Sequence, residues 1–456
     1  MHYVLNWIKT LSTLDPPDRP AIYLLYSDPD GESIARGYSS VVAGVERFDR
    51  AHLLNLDTVY PITQLFEAPF DAPWAGWIPD WQYKHLPEMF DELERERRDL
   101  NYRLLATRAP FLVVSSQMAY YDTVRFIGQD LVPMATLPFA AVIEASHITD
   151  ADASELCMRY GLPIRFYLVC NQFWKHKNHI VILRALMRLK ELPIVCVFTG
   201  DTNDHRWPEH FQELRGFISE HSLEGSVRLL GSIPREDQLR LMQVATCIIQ
   251  PSLFEGWSTV VEEARALGQY LLLSDILVHR EQAPPGALYF APEDDNQLAE
   301  LMRNVWHAAS VSSINQVTES WREGSESYIE DCARKFLEVT DKVRTNYDPH
   351  RHDPAIILAE VLPYLYRSRD RSSAKAELYS RTVTATRRRM KAQPEKLAIL
   401  TSLISTHAPD YLAQYREQIA EPNLWITLND QFRGRGKRGA QKLRRKVHRF
   451  FSTLRR

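Results

Sequence analysis

Between Arg165 and Ser274, continuous apolar runs alternate with segments whose apolar residues recur three or four positions apart. The continuous runs predict strands buried on both faces, and the periodic segments predict the helices that cover them. The predicted strands are 166–170, 194–199, 227–230, 247–250 and 270–274, and the predicted helices are 179–189, 209–221, 235–245 and 259–267. This order indicates a Rossmann-like domain with a parallel sheet, whose ligands bind at the carboxyl ends of the strands.

The rest of the chain divides around this domain. The N-terminal part alternates shorter strand-like and helical pieces, and its clearest pair is a charged helix at 87–108 followed by a strand at 111–115. After Pro349 the strand signal stops and Arg-rich helical patterns follow. We therefore expect an α/β fold. The expected segments are a first domain at 1–150, a second at 151–325, a closing helix at 326–348, a helical extension at 349–432 and a basic tail at 433–456.

Composition excludes several classes of function. The 456 residues are 45% hydrophobic and 25% charged, and the net charge of -3 gives no indication of a nucleic-acid partner. The five cysteines form no Cys-x-x-Cys pair, which argues against a zinc site and a disulfide framework and favours a reducing, cytoplasmic compartment. No apolar run reaches the roughly 18 residues of a membrane span, and the N-terminus lacks the pattern of a secretory signal.

The densest polar signal follows the predicted strand at 247–250. The loop there holds Glu255, and a helix predicted to begin near Ser258 or Thr259 carries Glu263, eight positions after Glu255. The first amides of a helix lack intrahelical partners and attract anions, so this helix start is suited to a phosphate group. The two carboxylates that flank it are suited to sugar hydroxyls, which donate hydrogen bonds.

Two features of this helix are expected from local spacing. Thr259 and Glu262 have the spacing of a capping box, which leaves Glu263 free for another role. Gly268 is placed where a glycine commonly ends a helix.

A second polar segment, 170–179, follows another predicted strand and precedes a helix. Lys175 or Lys177 can therefore reach the same crevice, where an ammonium group would offset the negative charge of a departing diphosphate. The two polar segments, 170–179 and 250–263, contain no Asp-x-Asp triplet, so no metal site is expected there. Surface or hydrogen-bonding roles, rather than metal ligation, are expected for His176, His179, His205 and His210.

Together these residues resemble the glutamate-x7-glutamate motif of the retaining family 4 glycosyltransferases. The resemblance is carried by Phe254-Glu255-Gly256, by Glu263-Ala264, by Lys177, by Gly200-Asp201 and by Leu230-Gly231. It covers 165–306 well and extends more weakly to 78–87 and 114–116. The family implies the GT-B fold, in which two Rossmann-like domains face each other across a cleft, with the acceptor offered by the first domain and the nucleotide sugar bound by the second.

The resemblance also implies the roles of individual residues. Glu255 would contact the transferred sugar and Glu263 the nucleotide ribose, while Lys177 would hold the diphosphate. The expected donor-site residues are Gln172, Lys177, Gly231, Glu255, Gly256, Trp257, Ser258, Thr259 and Glu263, with Glu255 and Lys177 as the catalytic pair. The amides of Ser258 and Thr259 would bind the diphosphate, and the loop after Gly231 would lie beside the base. Asp80 and His85 are candidates on the acceptor side.

The implied reaction is transfer of a hexose from a nucleotide sugar to a glycan or lipid-linked acceptor, with retention and without an obligatory metal or other cofactor. Two features depart from the family. Gln172 occupies a position where members often have arginine, and Lys175 or Arg280 can supply that charge instead. The sequence also opens on a helical pattern, so the first strand of the acceptor-side domain is expected to be missing.

These departures keep a second interpretation open, that of a degenerate transferase that binds a nucleotide or a partner as a scaffold. A phosphorylase or an epimerase on the same scaffold is a third. Trp174 and Trp257 are expected either to pack on the ligand or to cap the core. Residues 433–456 contain no acidic residue, and an apolar stripe within them favours peripheral contact with an anionic membrane over a disordered tail or a nucleic-acid arm. The expected location is the cytoplasm, at the inner membrane surface.

Overall fold

The structure, a computed structural model, describes residues 2–349 apart from Ser27 and the stretches 49–53, 65–71, 144–147 and 309–310. For His2, Asp150 and 311–323 it describes the backbone alone. The expected helical extension and the basic tail lie outside the described residues, except for Pro349. Met1–Asp348 form one compact unit.

The N-terminal half contains a four-stranded parallel sheet in the order β3-β4-β5-β6 and a separate parallel pair, β1-β2. The strands are β1 (Tyr23–Tyr26), β2 (Gly44–Arg47), β3 (Val59–Ile62), β4 (Trp74–Ile78), β5 (Phe111–Val114) and β6 (Met134–Thr136). The helices are α1 (His2–Ser12), α2 (Pro29–Arg36), α3 (Gln82–His85), α4 (Glu92–Arg108) and α5 (Gln117–Ile127). The charged helix predicted at 87–108 is interrupted, because Pro87–Met89 form a single 3-10 turn and Asp91 caps a new helix start by accepting from the Glu94 amide.

The C-terminal half contains a six-stranded parallel sheet in the order β12-β11-β10-β7-β8-β9. Its strands are β7 (Tyr167–Cys170), β8 (Cys196–Thr199), β9 (Val227–Gly231), β10 (Cys247–Gln250), β11 (Leu271–Ser274) and β12 (Leu288–Phe290). Its helices are α6 (Asp150–Arg159), α7 (His179–Met187), α8 (His210–Glu220), α9 (Arg235–Val244), α10 (Thr259–Leu267), α11 (Leu277–Gln282) and α12 (Asp295–Ala308). The strand order is that of a Rossmann fold.

Successive residues of each strand supply the two faces of this sheet. Tyr167 and Val169 of β7 pack with α7, α8 and α12, whereas Leu168 and Cys170 pack with α6, α9 and α10. Both faces are covered, which explains why the strands are continuously apolar in the sequence.

The last described helix, α13 (Val311–Asn346), returns to the N-terminal half. Its residues Cys332, Val339 and Val343 are buried in one cluster with Trp7 of α1 and Phe111 of β5. The helix expected at 326–348 is the second half of α13. The molecule therefore has the predicted α/β fold, with two Rossmann-like domains built on parallel sheets.

Candidate functional site

The candidate site lies where β7 and β10 run side by side at the centre of the C-terminal sheet. The strands that follow β7 extend the sheet on one side, and those that follow β10 extend it on the other. Such a switch point opens a crevice at the carboxyl ends of the strands. The loop after β7 carries Lys177, and the loop after β10 carries Glu255.

Lys177 and Glu255 meet in this crevice. The Lys177 Nζ donates a hydrogen bond to Glu255 Oε1 at 2.6 Å, and the two side chains are 16% and 9% exposed. Burial by itself raises the pKa of Glu255, but the charges of Lys177 and His176 and the hydrogen bonds of Lys177 and Ser252 outweigh it and lower this pKa to about 2. Glu255 is therefore an anion held by an ammonium group at neutral pH.

The turn that carries Lys177 is tied to the loop that carries Glu255. Asn178 ends this turn with a left-handed φ of 55°, and its Nδ2 donates to the carbonyls of Pro251 at 3.1 Å and Pro292 at 2.8 Å. These bonds hold the two loops against each other. Asn178 was not singled out in the sequence, because its partners are distant along the chain.

Helix α10 begins at Thr259, as predicted, but the predicted capping box is wrong. Ser258 is the N-cap residue, and no side chain caps the helix. The Glu262 carboxylate instead accepts a hydrogen bond from Gln282 Nε2 at 2.8 Å and pairs with Arg265 at 3.2 Å. Glu262 is buried, and its carboxylate binds Gln282 of α11 and Arg265 of its own helix rather than the backbone amide at the helix start.

The start of α10 is nevertheless arranged around its backbone amides. The Ser258 N–H donates to Gln282 Oε1 at 3.3 Å, and Gln282 Nε2 donates to the Ser258 carbonyl at 3.0 Å. A phosphate that accepts a hydrogen bond from the Ser258 amide would thus replace only the long bond from this amide to Gln282 Oε1. At the other end of α10, Gly268 has a φ of 67°, which confirms the predicted glycine C-cap.

Glu263 is not free in this structure. Arg235, the first residue of α9, forms a bidentate pair with it: Nη1 donates to Oε2 at 3.2 Å, and Nη2 donates to Oε1. Glu263 is 4% exposed, whereas Arg235 is 43% exposed. Arg235 follows the loop after Gly231, which ends β9 with a φ of 65°. The sequence assigned no role to Arg235, although that loop was expected to lie beside the nucleotide.

The two cations suggested as substitutes for an arginine at Gln172 are engaged elsewhere. The Lys175 Nζ lies 3.5 Å from the centre of the Trp207 ring. Arg280 forms a bidentate pair with Asp275, at 2.6 and 2.8 Å. Gln172 itself is exposed. The suggestion that Lys175 or Arg280 compensates is therefore not supported, and Arg235 is the second cation bound to a motif carboxylate.

The N-terminal half contributes its 79–85 segment to this crevice. A Cβ added to Gly256 would lie 2.6 Å from the Pro79 carbonyl oxygen and 3.0 Å from the Asp80 Cβ, so the two backbones approach closely only because residue 256 is glycine. Burial raises the pKa of Asp80, and the charge of the neighbouring Glu255 raises it further. Asp80 is thus placed beside the motif.

His85 also lies at this junction. Its ring is 5.1 Å from the ring of Phe254, and its Nε2 is 2.7 Å from Asp122 Oδ2. The structure therefore brings Asp80 and His85, from the N-terminal half, against the loop that holds Glu255.

Trp257 packs against the N-terminal half. Its Nε1 donates to the Phe139 carbonyl at 2.9 Å, and its ring adjoins the cluster that contains Trp7 and Phe111. This contact favours the core-packing alternative for Trp257. The Trp174 ring lies 5.6 Å from the ring of His176 and 6.2 Å from that of His205.

Two further polar contacts join the halves. The Arg206 guanidinium pairs with Glu94 of α4 at 3.2 Å. The Glu281 carboxylate accepts from the Gln117 amide at 2.7 Å and the Met118 amide at 3.3 Å, so a side chain of α11 caps the start of α5. Charged side chains of the C-terminal half therefore bind the N-terminal half at two places in this structure.

No group of three or more His, Cys, Asp or Glu side chains is placed to hold a metal ion in the part of the chain that the structure describes. The five cysteines are free and buried. Surface or hydrogen-bonding roles were expected for His176, His179, His205 and His210, and three of these, His176, His179 and His210, are buried. Among the described helices, none has the length and apolar character to cross a membrane.

The buried His179 predicts a pH dependence of stability. Burial, and then the charge of His210, lowers the pKa of His179 to about 3, and neither ring nitrogen has a hydrogen-bond partner among the described residues. Between pH 6.5 and about 3 the unfolded chain binds a proton here that the folded protein does not, so stability falls as pH falls. His179→Phe, which keeps a ring beside Phe173, should reduce the loss of unfolding free energy between pH 7 and 5 by about 2 kcal/mol.

Urea denaturation of both proteins at each pH measures this difference. Between pH 7 and 8 the two stability curves should run nearly parallel, because little of the unfolded histidine is then protonated. Parallel curves down to pH 5 would contradict the prediction.

Residues 164–316 match the family described as glycosyl transferases group 1. This region contains the six-stranded sheet and every C-terminal residue of the candidate site. A curated relative, the O-antigen chain mannosyltransferase RfbU of Salmonella typhimurium, is 23% identical over 140 residues. That alignment covers 31% of this chain and spans only 38% of the relative's length.

Solved structures extend the similarity to both halves. Anabaena Alr3699/HepE, in complex with UDP and glucose, aligns with a TM-score of 0.58 and 18% identity over 74% of this chain and 95% of that one. A glycosyltransferase from Rickettsia africae aligns with a TM-score of 0.56 and 14% identity over 75% and 95% of the two chains. The chain therefore shares the GT-B fold with these two proteins.

Proposed function

We propose that this chain is a glycosyltransferase that transfers a hexose from a nucleotide sugar to a glycan or lipid-linked acceptor, with retention of anomeric configuration and without an obligatory metal. The observation that carries this proposal is the Lys177–Glu255 pair at the switch point, beside the start of α10. A sugar diphosphate needs groups that bind its anion and a group that accepts its hydroxyls. The ammonium group and the amides at the start of α10 suit the anion, and the carboxylate suits the hydroxyls.

The donor site can be assigned within this arrangement. The diphosphate would lie against Lys177 and the amides of Ser258 and Thr259, and the sugar would lie against Glu255. Glu263 would accept the ribose hydroxyls, which requires Arg235 to share or leave that carboxylate. The loop after Gly231 would lie beside the base.

The proposed transfer step moves negative charge onto the diphosphate. The bond between the anomeric carbon and a diphosphate oxygen breaks, and its electron pair leaves with the diphosphate. A bond from the acceptor oxygen forms on the same face of the sugar, and the acceptor proton passes to the departing diphosphate. Lys177 stabilises the growing charge, while the N-terminal domain, through Asp80 and His85, would offer the acceptor and exclude water.

The comparisons support the substrate class. Alr3699/HepE has been crystallised with UDP-glucose as well as with UDP, and RfbU is a mannosyltransferase of an O-antigen chain. A nucleotide-bound hexose and a polysaccharide acceptor are consistent with both. Peripheral contact with an anionic membrane through residues 433–456 remains a prediction.

The alternative is a catalytically degenerate protein that binds a nucleotide or serves as a scaffold. Two observations favour it: an exposed Gln172 stands where relatives of this kind often have arginine, and Arg235 occupies the Glu263 carboxylate. A missing cation at 172 would weaken turnover, and an Arg235 that keeps Glu263 would weaken binding of the ribose.

Incubation of the purified protein with a panel of UDP, GDP, ADP and dTDP sugars separates these functions. We expect slow hydrolysis of one donor, an acceptor product whose anomeric coupling in NMR matches that of the donor, and unchanged turnover in EDTA. Glu263→Ala should lower donor turnover by at least about tenfold, because a buried carboxylate that accepts hydroxyls is lost. Glu236→Ala, on the exposed face of α9, is the matched control. Tight nucleotide binding with no turnover of any donor would instead favour the alternative.

A further inference from the structure

The Glu255 carboxylate is bound asymmetrically. Three donors converge on Oε1: Lys177 Nζ at 2.6 Å, Ser252 Oγ at 2.6 Å and Gln250 Nε2 at 2.9 Å. No described residue donates a hydrogen bond to Oε2. This atom is also not one of the buried polar atoms that lack a partner, so it is not fully enclosed by protein. A carboxylate oxygen with three donors has little capacity left, so the next hydrogen bond to Glu255 has to be made at Oε2.

Gln250 is the donor that sequence reasoning did not single out. It is the last residue of β10 and is fully buried. Besides Glu255, its Nε2 lies 3.2 Å from Ser252 Oγ and 3.3 Å from Ser258 Oγ. The Gln250 amide thus faces the loop that carries Glu255 and the N-cap residue of α10.

The orientation of this amide is set from the neighbouring strand. Asn171, directly after β7, donates from Nδ2 to Gln250 Oε1 at 2.8 Å. Because Gln250 accepts at Oε1, its NH2 group points toward Glu255 and not away from it. Asn171 is itself buried. The pair therefore spans the two strands that form the switch point, and it aims a donor into the crevice.

Packing alone does not explain this pair. The rest of β10, Cys247, Ile248 and Ile249, is apolar and fully buried, and an aliphatic residue would continue that pattern at 250. Burial of two carboxamides costs free energy unless their hydrogen bonds are made, and here these bonds end on Glu255 and its loop.

We propose that Gln250, oriented by Asn171, is a positioning residue that occupies Glu255 Oε1 and leaves Oε2 as the acceptor for one hydroxyl of the transferred sugar. This inference rests on the proposed function. It makes Gln250 a determinant of specificity for the nucleotide sugar, because a sugar that lacks the hydroxyl facing Oε2 leaves that oxygen without a hydrogen bond in the closed site. It touches Glu255 and not the sugar, so it acts through the carboxylate.

The test combines Gln250→Met, which keeps the shape and removes the donor, with singly deoxygenated analogues of UDP-glucose and GDP-mannose. With the parent enzyme, loss of the critical hydroxyl should lower kcat/KM by at least about tenfold. With Gln250→Met the same loss should cost less than about threefold, since Oε1 then has one donor fewer and no longer directs the sugar's hydrogen bond to Oε2 alone. Asn171→Leu should behave like Gln250→Met.

Gln269→Met is the matched control. Gln269 is another buried glutamine of the same domain, and its Nε2 donates to the Gln243 carbonyl at 2.9 Å, with no contact to Glu255. With this variant, loss of the critical hydroxyl should lower kcat/KM as much as it does with the parent enzyme, even if the variant is less stable. An equal fall in kcat/KM for the parent enzyme and Gln250→Met would overturn the proposal. A glutamine with a purely structural role would slow the transfer of every nucleotide sugar by the same factor.

A second measurement does not depend on turnover. Thermal unfolding of Gln250→Met, Glu255→Gln and the double variant forms a cycle, and the two effects should be non-additive because the residues share a hydrogen bond. If the parent protein uses no donor, the proposed function fails while this cycle still tests the positioning contact. Additive effects would overturn that contact whether or not the enzyme is active.

Discussion

Lys177→Ala is expected to lower the rate of sugar transfer about a hundredfold or more. The Nζ of Lys177 is the cation that lies on Glu255 in the crevice, and a single donor aimed at developing charge is worth roughly 3 kcal/mol. The substitution also leaves Glu255 as a buried anion without its main partner, so its pKa should rise from about 2. The measurement is kcat and KM with whichever nucleotide sugar the parent enzyme uses.

Lys175→Ala is the matched control for this prediction. Lys175 lies in the same turn, but its ammonium group rests on the Trp207 ring, so its loss should change kcat less than about twofold. Lys177→Arg should recover part of the rate because it restores a positive charge. Equal rates for Lys177→Ala and the parent enzyme would remove the diphosphate role from Lys177.

Gly200→Ala is expected to lower the free energy of unfolding by about 3 kcal/mol or more. Gly200 follows β8 with a φ of 140°, and an added Cβ would lie 2.1 Å from the Asn171 carbonyl oxygen and 2.9 Å from the Gln172 amide nitrogen. Neither the conformation nor the contact tolerates a side chain, and each fault alone costs about 1–3 kcal/mol. Chemical denaturation of both proteins measures the difference.

Gly216→Ala is the control that separates the steric effect at Gly200 from the general effect of replacing a glycine. Gly216 lies inside α8, where an added Cβ meets nothing within 4 Å. Alanine there should raise stability by about 0.5–1 kcal/mol, because glycine is a poor helix former. Since Gly200→Ala also displaces the loop that holds Asn171, we expect its remaining folded fraction to transfer sugar more slowly. A Gly200→Ala protein as stable as the parent would contradict the prediction, because it would show that the loop at Asn171 and Gln172 moves away without a loss of stability.

The sheet of the C-terminal half could be predicted from the sequence because its burial is complete. Strand β7 and the first three residues of β11 are apolar, and every position of both strands is buried, as expected where helices cover both faces. The short strand β12 and the six-residue helix α11 were missed, since neither is long enough to establish a period. The break between Met89 and Glu92 in the helix predicted at 87–108 was also missed. The charged, periodic pattern continues across this break, so it gives no sign of a new helix start.

The partners of the motif acids could not be predicted. Arg235 pairs with Glu263 across 28 positions, and Gln282 binds Glu262 across 20. Such pairs depend on the side-by-side placement of α9, α10 and α11. Local spacing alone suggested a capping box at Thr259, and it failed because burial offered Glu262 partners that an exposed helix end lacks.

The amino-acid sequence by itself determined the order of strands and helices, the loop positions of Lys177 and Glu255, and the glycine that ends α10. These depend on the burial pattern and on backbone preferences within a few residues. Only the tertiary structure decided that Gln250 and Asn171 pair across β7 and β10, and that Arg235 holds Glu263. A hydrogen bond or ion pair forms where folding brings two distant groups within about 3 Å, and spacing along the chain carries no information about that distance.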